Sequence, residues 1–412
     1  MRVVIAPDKF KGSLSAPQVA DCLEAGLLAA DPAITVDKAP MADGGEGTLD
    51  AAVAAGFTLH EVSVAGPTGQ PLQAPVAVRG REAVVELAVA SGLAVLPGGI
   101  LRARDATSLG TGQLIRFCLD AGCGRIVLGV GGSASTDGGA GLLTGLGALM
   151  LDADGRELPS GGAALASLAR IDLSGLDRRL ADVEVTLAAD VDNPLLGANG
   201  AAAVFGPQKG ATADDVAGLD AALAQFARVL ARGTGPLAVE LLSAPGAGAA
   251  GGVGYAAMAV LNAQRRPGID VVLGLTGLAS RLQGADLVIT GEGSLDEQSL
   301  GGKTPLGVAQ AAAAAGVPVM AVCGRTPLSP AQLEAAGFER TFALTGIEPD
   351  VQKCMAEAAG LLEQVGRDIG AVLAGHSRRS RQSGQSGQSG QSGQRRQRRQ
   401  GPAGLTMTVG AP

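Results

Sequence analysis

Two alternating patterns of apolar residues run along the chain, and together they predict parallel strands covered by helices. The first is a short run of apolar residues, as in 2–7 (RVVIAP), which is typical of a buried strand; a second strand is predicted at 34–38 (ITVDK). The second places apolar residues three or four apart, as at Val19 and Leu23, which favours one face of a helix. Strand, loop and helix follow one another twice within 1–55, the rhythm of an α/β fold.

Polar residues at the starts of two helical stretches support this interpretation. Ser15 and Gln18 are spaced as a capping box, which satisfies free amides at a helix start. The amphipathic stretch 212–231 carries Asp214 and Asp215 in its first turn, where acids suit the helix dipole. Further helices are predicted at 49–55, 107–122, 139–150, 304–315 and 349–374.

The rhythm is interrupted after Gly56 by three strand-like runs, 60–64, 72–78 and 83–87, which predict an antiparallel meander. Alternation then resumes, with strands predicted at 125–130, 183–189, 287–290, 317–323 and 341–344. Because the meander interrupts two α/β regions, we expect an inserted domain. The predicted layout is an α/β protein in which residues 1–60 plus 285–374 form a discontinuous Rossmann- or flavodoxin-like parallel-sheet domain, and 61–284 form a second α/β domain.

Basic residues are concentrated at the end of the chain and the remainder is acidic, which argues against nucleic acid as a partner of the remainder. The 412 residues carry a net charge of −7, but 375–412 hold seven Arg and no acid. The remainder is strongly acidic and, with 2% aromatic residues and no Trp, is not expected to bind nucleic acid. The SGQ repeats and the RRQRR run predict a disordered basic tail over 375–412. We interpret the tail as an accessory extension; nucleic acid or anionic lipid remains its alternative partner.

The cellular compartment and the kind of metal ligand can be predicted from the cysteines, the histidines and the lack of long apolar segments. Five Cys without a C-x-x-C pair indicate neither a disulfide framework nor a zinc site. The N-terminus lacks a signal-peptide pattern, and the uncharged stretch 241–264 is too weakly apolar to span a bilayer. We therefore expect a soluble cytoplasmic protein. With only His60 and His376 available, a metal site would consist of carboxylate and other oxygen ligands, as Mg²⁺ prefers.

Lysines are scarce and concentrated in glycine-containing loops. There are six Lys against 26 Arg, and four of the six lie in the loops PDKFKGS, GPQKGA and LGGKTP: Lys9, Lys11, Lys209 and Lys303. A compact ammonium group suits phosphate oxygens. The alternative is that these are ordinary solvated loop residues.

Acidic residues cluster in loops that follow predicted strands. The cluster contains Asp8, Asp43, Glu46, Asp137, Asp190, Asp192 and Glu292. Since ligands of open α/β sheets bind beyond the carboxyl ends of the strands, these carboxylates can hold Mg²⁺ or accept a hydroxyl proton. Each taken alone has the alternative of a turn or a helix cap.

Three glycine-rich stretches, 129–141, 245–254 and 289–304, allow close approach of the backbone to phosphate. No Walker A motif is present, because Glu297 occupies the first glycine position before Gly302-Lys303-Thr304. Residues 246–251 satisfy GxGxxG but follow no clear strand, which makes a dinucleotide site a weak alternative. The residues thus predict an α/β enzyme for a phosphorylated, Mg²⁺-bound ligand, with donor and acceptor left open.

Nine blocks, in order, resemble the bacterial glycerate kinase family of the first type over about residues 1–374. They are VVIAPDKFKGSLSA, ADGGEGT, GPTGQP, ELAVASGL, TSLGTGQLI, GVGGSASTDGGAG, DVDNPLLGANGAAAVFGPQKGA, PGAGAAGGVG and LVITGEGSLDEQSLGGKTPLGVA. Lys9 stands where we expect a serine or another small residue, and the tail has no counterpart.

The resemblance implies an enzyme that phosphorylates D-glycerate with ATP and Mg²⁺, with 2-phosphoglycerate as product. It also implies two α/β domains with a cleft between them. Nothing in the residues themselves selects the 2-hydroxyl over the 3-hydroxyl. Small-molecule partners are expected, without nucleic acid or membrane; a homo-oligomer is left open. Two alternatives of other classes are a non-catalytic sugar-acid binding module and an NAD-dependent hydroxyacid dehydrogenase.

On this resemblance, we expect phosphoryl transfer by positioning and charge neutralisation. The expected proton acceptor is Asp190 or, second, Asp8, and the expected Mg²⁺ ligands are among Asp190, Asp192 and Glu292. Lys11 and Lys209 would neutralise the phosphoryl group and the glycerate carboxylate. The remaining residues assigned to phosphate or substrate are Lys303, Gly131, Gly132, Ser133, Gly291, Gly293, Asp43 and Glu46.

Overall fold

The computed structural model describes the backbone of residues 1–388 and the side chains of residues 1–374. The strands in this part are β1 (Arg2–Pro7), β2 (Thr35–Lys38), β3 (Thr58–Ala65), β4 (Pro71–Arg79), β5 (Glu82–Glu86), β6 (Arg125–Gly129), β7 (Leu149–Leu151), β8 (Arg170–Asp172), β9 (Glu184–Ala188), β10 (Gln264–Arg266), β11 (Leu287–Ser294), β12 (Val319–Arg325) and β13 (Arg340–Ala343).

The α-helices of the same part are α1 (Ala16–Ala30), α2 (Thr48–Ala54), α3 (Ala88–Ser91), α4 (Leu109–Asp120), α5 (Ala140–Gly145), α6 (Ala201–Phe205), α7 (Ala213–Thr234), α8 (Leu237–Glu240), α9 (Ala249–Val260), α10 (Gly268–Thr276), α11 (Leu278–Arg281), α12 (Thr304–Ala315), α13 (Pro330–Ala335), α14 (Val351–Ala356) and α15 (Ala358–Gln388). Within the described chain, none of them is both long and apolar enough to cross a membrane.

The first sheet is parallel throughout, in the order β13-β12-β11-β1-β2. Alternate residues of β1 enter two separate cores, because successive side chains of a strand point to opposite faces. Val3 and Ile5 pack with α1 and α15, whereas Val4 and Ala6 pack with the helices of the other face. This sheet, covered on both sides, confirms the predicted α/β class.

The second sheet has the order β10-β9-β6-β5-β4-β3. Strands β3, β4 and β5 form the predicted antiparallel meander, and β5, β6, β9 and β10 continue in parallel. Helix α2 joins the two sheets, since its residue Ala51 belongs to a core of the first sheet, while Leu49 and Ala52 pack on Ala77 and Val84 of the second.

The chain returns to the first sheet earlier than residue 285. Val272 of α10 and Leu278 of α11 lie in a core of the first sheet, so the return follows β10, near residue 267. The weakly periodic, glycine-containing stretch before β11 gave no sequence signal for this crossing.

Several element boundaries follow from local chemistry. Ser15 caps α1 with Gln18 in the predicted capping box. Helix α5 ends at Gly145, and not at residue 150, because Gly147 adopts φ +106 and the chain turns into β7, which pairs with β8. The backbone of α15 runs on to Gln388, into the predicted tail. The rest of that tail, 389–412, lies outside the described residues.

Candidate active site

Two adjoining cavities lie at the carboxyl ends of β1, β6, β9 and β11. The larger has a volume of 570 Å³ and the smaller 210 Å³. Asp43, Gly45, Gly131 and Gly132 line both cavities, and we call these four residues the shared wall. A ligand in one cavity can therefore meet a ligand in the other across loops from both sheets.

The shared wall is built from closely packed backbone. A Cβ on Gly131 would lie 2.8 Å from the Cα of Gly45, so a side chain at Gly131 would force the two loops apart. Gly132 has φ +72, a conformation that favours glycine. Backbone without side chains exposes amide groups to an approaching anion, which fits the predicted role of this loop toward phosphate.

Asp8 follows β1 and forms one side of the larger cavity. Its Oδ2 accepts a hydrogen bond of 2.6 Å from Thr304 Oγ1, at the start of α12, and its Oδ1 accepts one of 2.7 Å from the Lys9 amide. Burial raises the pKa of Asp8, and the charge of Asp43 adds to this rise, although the Lys9 ammonium opposes it. The two hydrogen bonds thus fix the Asp8 carboxylate in place, and an additional cation beside it would stabilise its ionised form.

Three lysines line the same cavity: Lys9, Lys11 and Lys303. Lys9 Nζ lies 3.7 Å from Asp8 Oδ1 and donates a 2.7 Å hydrogen bond to the carbonyl of Glu46. Burial lowers the pKa of Lys9, but the nearby carboxylates, Asp8 first, outweigh burial and raise it. Arg325 adds a fourth cation to the lining, which also holds the five carboxylates of Asp8, Asp43, Glu46, Glu292 and Asp296. The cavity therefore suits a polyanion that is bound together with a metal ion.

Glu292 lies in β11 beside Asp8 and has a buried Oε1 without a hydrogen-bond partner. Burial raises the pKa of Glu292 to about 7, and the charge of Asp8 adds to the rise. No group of three potential metal ligands occurs among the described residues. Mg²⁺ is commonly bound by only one or two carboxylates together with substrate phosphates, so Glu292 and Asp8 fit such an ion.

Asp190 follows β9 and lines the smaller cavity. Its Oδ1 accepts a 2.7 Å hydrogen bond from the Gly268 amide, which fixes the carboxylate at the mouth of the gap between the sheets. The residue keeps part of its surface exposed, yet partial desolvation raises the pKa of Asp190 to about 6, with a further contribution from Asp43. A carboxylate with this pKa is ionised at neutral pH and basic enough to accept a proton.

Three residues predicted for the site line neither cavity: Asp192, Gly291 and Lys209. Asp192 is exposed, forms a 2.6 Å ion pair with Arg265 and lines neither cavity. Gly291 is buried within β11, and a Cβ added at this position would lie 1.8 Å from the carbonyl oxygen of Val322. The physical reason is that β11 extends past its predicted end at Thr290, so Gly291 serves packing between strands, while Gly293 lines the larger cavity.

Lys209 lies behind the glycine-rich loop and not in either cavity. Its fully buried ammonium donates hydrogen bonds to Ser133 Oγ at 2.8 Å and to the Ser135 carbonyl at 2.5 Å. Burial lowers the pKa of Lys209 to about 7, although Asp137 opposes this shift. Asp137 in turn accepts hydrogen bonds from the backbone amides of Ser108 and Gly139. Lys209 therefore supports the loop that carries Ser133.

Some residues of the site were absent from the sequence prediction. Thr304, the partner of Asp8, stands in the LGGKTP loop and could have been found from its place beside Lys303. Gln208 and Phe205 line the smaller cavity. The larger cavity has an apolar end at Leu344, Val351, Met355 and Ala358, for which the sequence offers no signal because these residues resemble ordinary core positions.

The GxGxxG match at 246–251 is a packing element. It follows a 3-10 turn and no strand, and a Cβ on Gly251 would lie 2.1 Å from the Ser135 carbonyl oxygen. This excludes the strand–loop–helix context that a dinucleotide fingerprint needs.

An α/β scaffold that places carboxylates and ammonium groups around a glycine-lined junction has the groups that a phosphotransferase needs. The chain belongs to the glycerate kinase family, whose model matches residues 3–374. It is therefore a kinase, as the resemblance of the nine sequence blocks implied.

Several relatives are similar to this chain over nearly their whole length. Glycerate kinase of Bacillus subtilis (strain 168) is 44% identical, over 90% of this chain and 97% of that protein. Glycerate 2-kinase of Escherichia coli (strain K12) is 40% identical, over 91% of this chain and 98% of that protein. A crystal structure described as a glycerate kinase 2 from Salmonella typhimurium LT2 has a TM-score of 0.80 at 41% identity, covering 92% of this chain and 99% of that one.

Proposed function

We propose that this kinase transfers the γ-phosphoryl group of ATP to the 2-hydroxyl of D-glycerate, giving 2-phosphoglycerate and ADP. The observation that carries the proposal is the pair of cavities that meet at the shared wall, with a basic carboxylate in one and a group of cations in the other. The name of the Escherichia coli relative, glycerate 2-kinase, supports the choice of hydroxyl.

The smaller cavity suits the acceptor. Its 210 Å³ volume matches a three-carbon acid and is small for a nucleotide, since sites for drug-sized ligands usually have about 300–1,000 Å³. Asp190 accepts the hydroxyl proton as the oxygen attacks phosphorus, which makes the oxygen a better nucleophile. Gln208 can donate to the acid's carboxylate.

The larger cavity suits the donor. Lys11 and Lys303 neutralise charge on the phosphoryl oxygens, and Lys9 keeps the neighbouring carboxylates paired before substrate binds. Gly131 and Gly132 line both cavities, so their backbone amides would be available to the phosphoryl group as it passes between them. Because these donors are fixed before reaction, they stabilise the transition state without reorganisation.

Glu292 and Asp8 would hold Mg²⁺ in this scheme. The ion supplies charge neutralisation of the donor phosphates when bound. Metal binding would also return Glu292 to its ionised form, because a carboxylate must be deprotonated to ligate. The unpartnered Glu292 Oε1 supports this assignment.

Replacing Glu292 by glutamine is expected to raise the Mg²⁺ concentration for half-maximal rate by about tenfold or more, since even outer partners of metal ligands change affinity by about 10–100-fold. Kinetic Mg²⁺ titration, together with calorimetry of Mg²⁺ binding in the presence of ADP, measures the change. Glu297→Gln, at an exposed position in the loop that follows β11, is the matched control. Equal Mg²⁺ dependence in both variants would remove Glu292 from the metal site.

The position of the new phosphate can be determined by proton-coupled phosphorus NMR of the product. We expect a doublet, because the phosphorus of 2-phosphoglycerate has one proton on the adjacent carbon, whereas 3-phosphoglycerate gives a triplet. Reactions without enzyme and authentic samples of both isomers are the controls. A triplet would assign the reaction to the 3-hydroxyl, and a lack of ADP release with Mg-ATP and D-glycerate would overturn the proposed activity.

We also place the enzyme in the cytoplasm. Its cysteines, Cys22, Cys118, Cys123, Cys323 and Cys354, all lie in the described part of the chain and form no disulfide there. Free thiols are usual in a reducing compartment, which is also where ATP is available.

A further inference from the structure

We infer that the apolar end of the larger cavity binds the adenine base of the nucleotide. This end is formed by Leu344, Val351, Met355 and Ala358, and we call these four residues the apolar end from here on. The inference rests on the proposed use of ATP and adds the part of the site that recognises its base.

The charge distribution separates the two ends of the cavity. Lys303 precedes α12 on one face of the first sheet, and Asp8 is bonded to Thr304 of that helix, whereas Leu344 and Ala358 belong to the core on the other face. A nucleoside triphosphate has the same division, with a polyanion at one end and a flat, largely apolar ring at the other. Ligand sites typically combine an apolar lining with a few placed polar groups in this way.

The smaller cavity does not offer an alternative place for the nucleotide. Among the described residues that line it, there is no Lys or Arg, and Asp43 and Asp190 bring negative charge. A triphosphate carries several negative charges and would be repelled there more strongly than the singly charged glycerate, and it would have less than half of the volume available in the larger cavity.

The apolar end has the exposure expected of a surface that awaits a ligand. Val351 and Met355 are 40% and 38% exposed, although both are large apolar residues, while Leu344 and Ala358 beneath them are 1% and 2% exposed. Apolar area left in water is unfavourable by roughly 25 cal/mol per Å². A planar base laid on Val351 and Met355 removes that area from water.

The loop after β1, which contains Lys11, also contacts the apolar end. Ser13 Oγ donates a 2.7 Å hydrogen bond to the Met355 carbonyl, and a Cβ on Gly12 would lie 3.0 Å from Met355 Cε. These residues directly follow Lys11. The distance between the base and the phosphates is thus set by one short segment, which would align the γ-phosphoryl group with the shared wall.

The test uses a double variant, Val351→Thr with Met355→Gln, which keeps side-chain size and removes apolar character at two exposed positions. Calorimetry on the full chain would compare ADP with inorganic tripolyphosphate, which lacks a base. We expect the Kd for ADP to rise about tenfold, because two side chains would no longer offer the base an apolar surface. The Kd for tripolyphosphate and the KM for glycerate should stay within about twofold, since neither ligand reaches the apolar end.

Ile347→Thr is the matched control, because Ile347 is similarly exposed at 38% and does not line the cavity. Unchanged ADP binding in the double variant, or equal weakening of ADP and tripolyphosphate, would overturn the adenine assignment while leaving the proposed kinase reaction intact. If the unaltered enzyme bound no ADP and released none from ATP, both the assignment and the proposed function would fail.

Discussion

Replacing Asp190 by asparagine is expected to lower kcat by about 10²–10⁴-fold, the usual contribution of a positioned proton acceptor. Asparagine preserves the size of the side chain and can still accept the Gly268 hydrogen bond, so the loop should keep its position. The variant can no longer take the hydroxyl proton. The KM for ATP should change little, because Asp190 lines the smaller cavity only.

The pH dependence of kcat/KM, which reports the pKa values of the enzyme without substrate, provides a second measurement on the same variant. Since the pKa of Asp190 is raised to about 6, the wild-type kcat/KM should be full above this pH and fall about tenfold per unit below it. The variant should lack this acidic limb. Asp214→Asn, an exposed residue in the first turn of α7, is the control and should keep the wild-type rate and profile. A kcat within about threefold of wild type in Asp190→Asn, or an unchanged decrease of the rate at acidic pH, would assign proton transfer to another group. Asp8 is then the second candidate for the proton acceptor.

Replacing Lys209 by methionine is expected to lower the free energy of unfolding at pH 10 by about 1–3 kcal/mol, through the loss of a buried donor to Ser133 and Ser135. It should also reduce kcat by at least about tenfold, because the loop with Gly131 and Gly132 would lose its support from behind. Methionine matches the length of the side chain, so the change removes the hydrogen bonds and not the volume. Denaturant titration and steady-state kinetics measure the two effects.

The sign of the pH effect on stability distinguishes Lys209 from an ordinary structural contact. Burial lowers the pKa of Lys209 from its usual value of 10.5 to about 7, so the unfolded chain binds more protons between these values. Lys209 therefore makes stability rise with pH across this window, by at most about 1.4 kcal/mol per unit. That slope should be smaller in Lys209→Met than in wild type. Lys353→Met, at an exposed position, is the control and should leave the slope as it is.

Stability and rate report on different roles of Lys209. A variant that is destabilised but fully active would show that the loop holds its shape without the ammonium. A variant with normal stability and a lower rate would instead return Lys209 to the direct contact with substrate that the sequence predicted. The buried position behind Ser133 favours a decrease in both.

The elements of the fold could be predicted largely because their signals are local. Strand β1 begins and ends where its apolar run does, and α1 starts at the residue after its predicted cap. The meander was predicted by its turns and confirmed by the pairing of β3, β4 and β5. The return of the chain at α10 was missed because it depends on which sheet a weakly patterned helix packs against.

Some residues of the candidate site could be predicted from a single rule about strand ends. The rule that ligands bind at the carboxyl ends of strands brought together Asp8, Asp190 and Glu292. It could not tell that Asp192, two residues beyond Asp190, pairs with Arg265 outside the cavities. Nor could it tell that Lys209 lies behind its loop, since depth within a fold depends on packing of distant segments.

The hydrogen bond between Thr304 and Asp8 joins residues that are 296 positions apart, and β1 lies between β2 and β11 in the finished sheet. During synthesis on the ribosome, β1 emerges early but has no partner on one side until β11 has left the exit tunnel. The growing polypeptide therefore cannot complete the candidate site until translation has passed Thr304. Chaperones that shield unpaired strand edges would meet this protein during that interval.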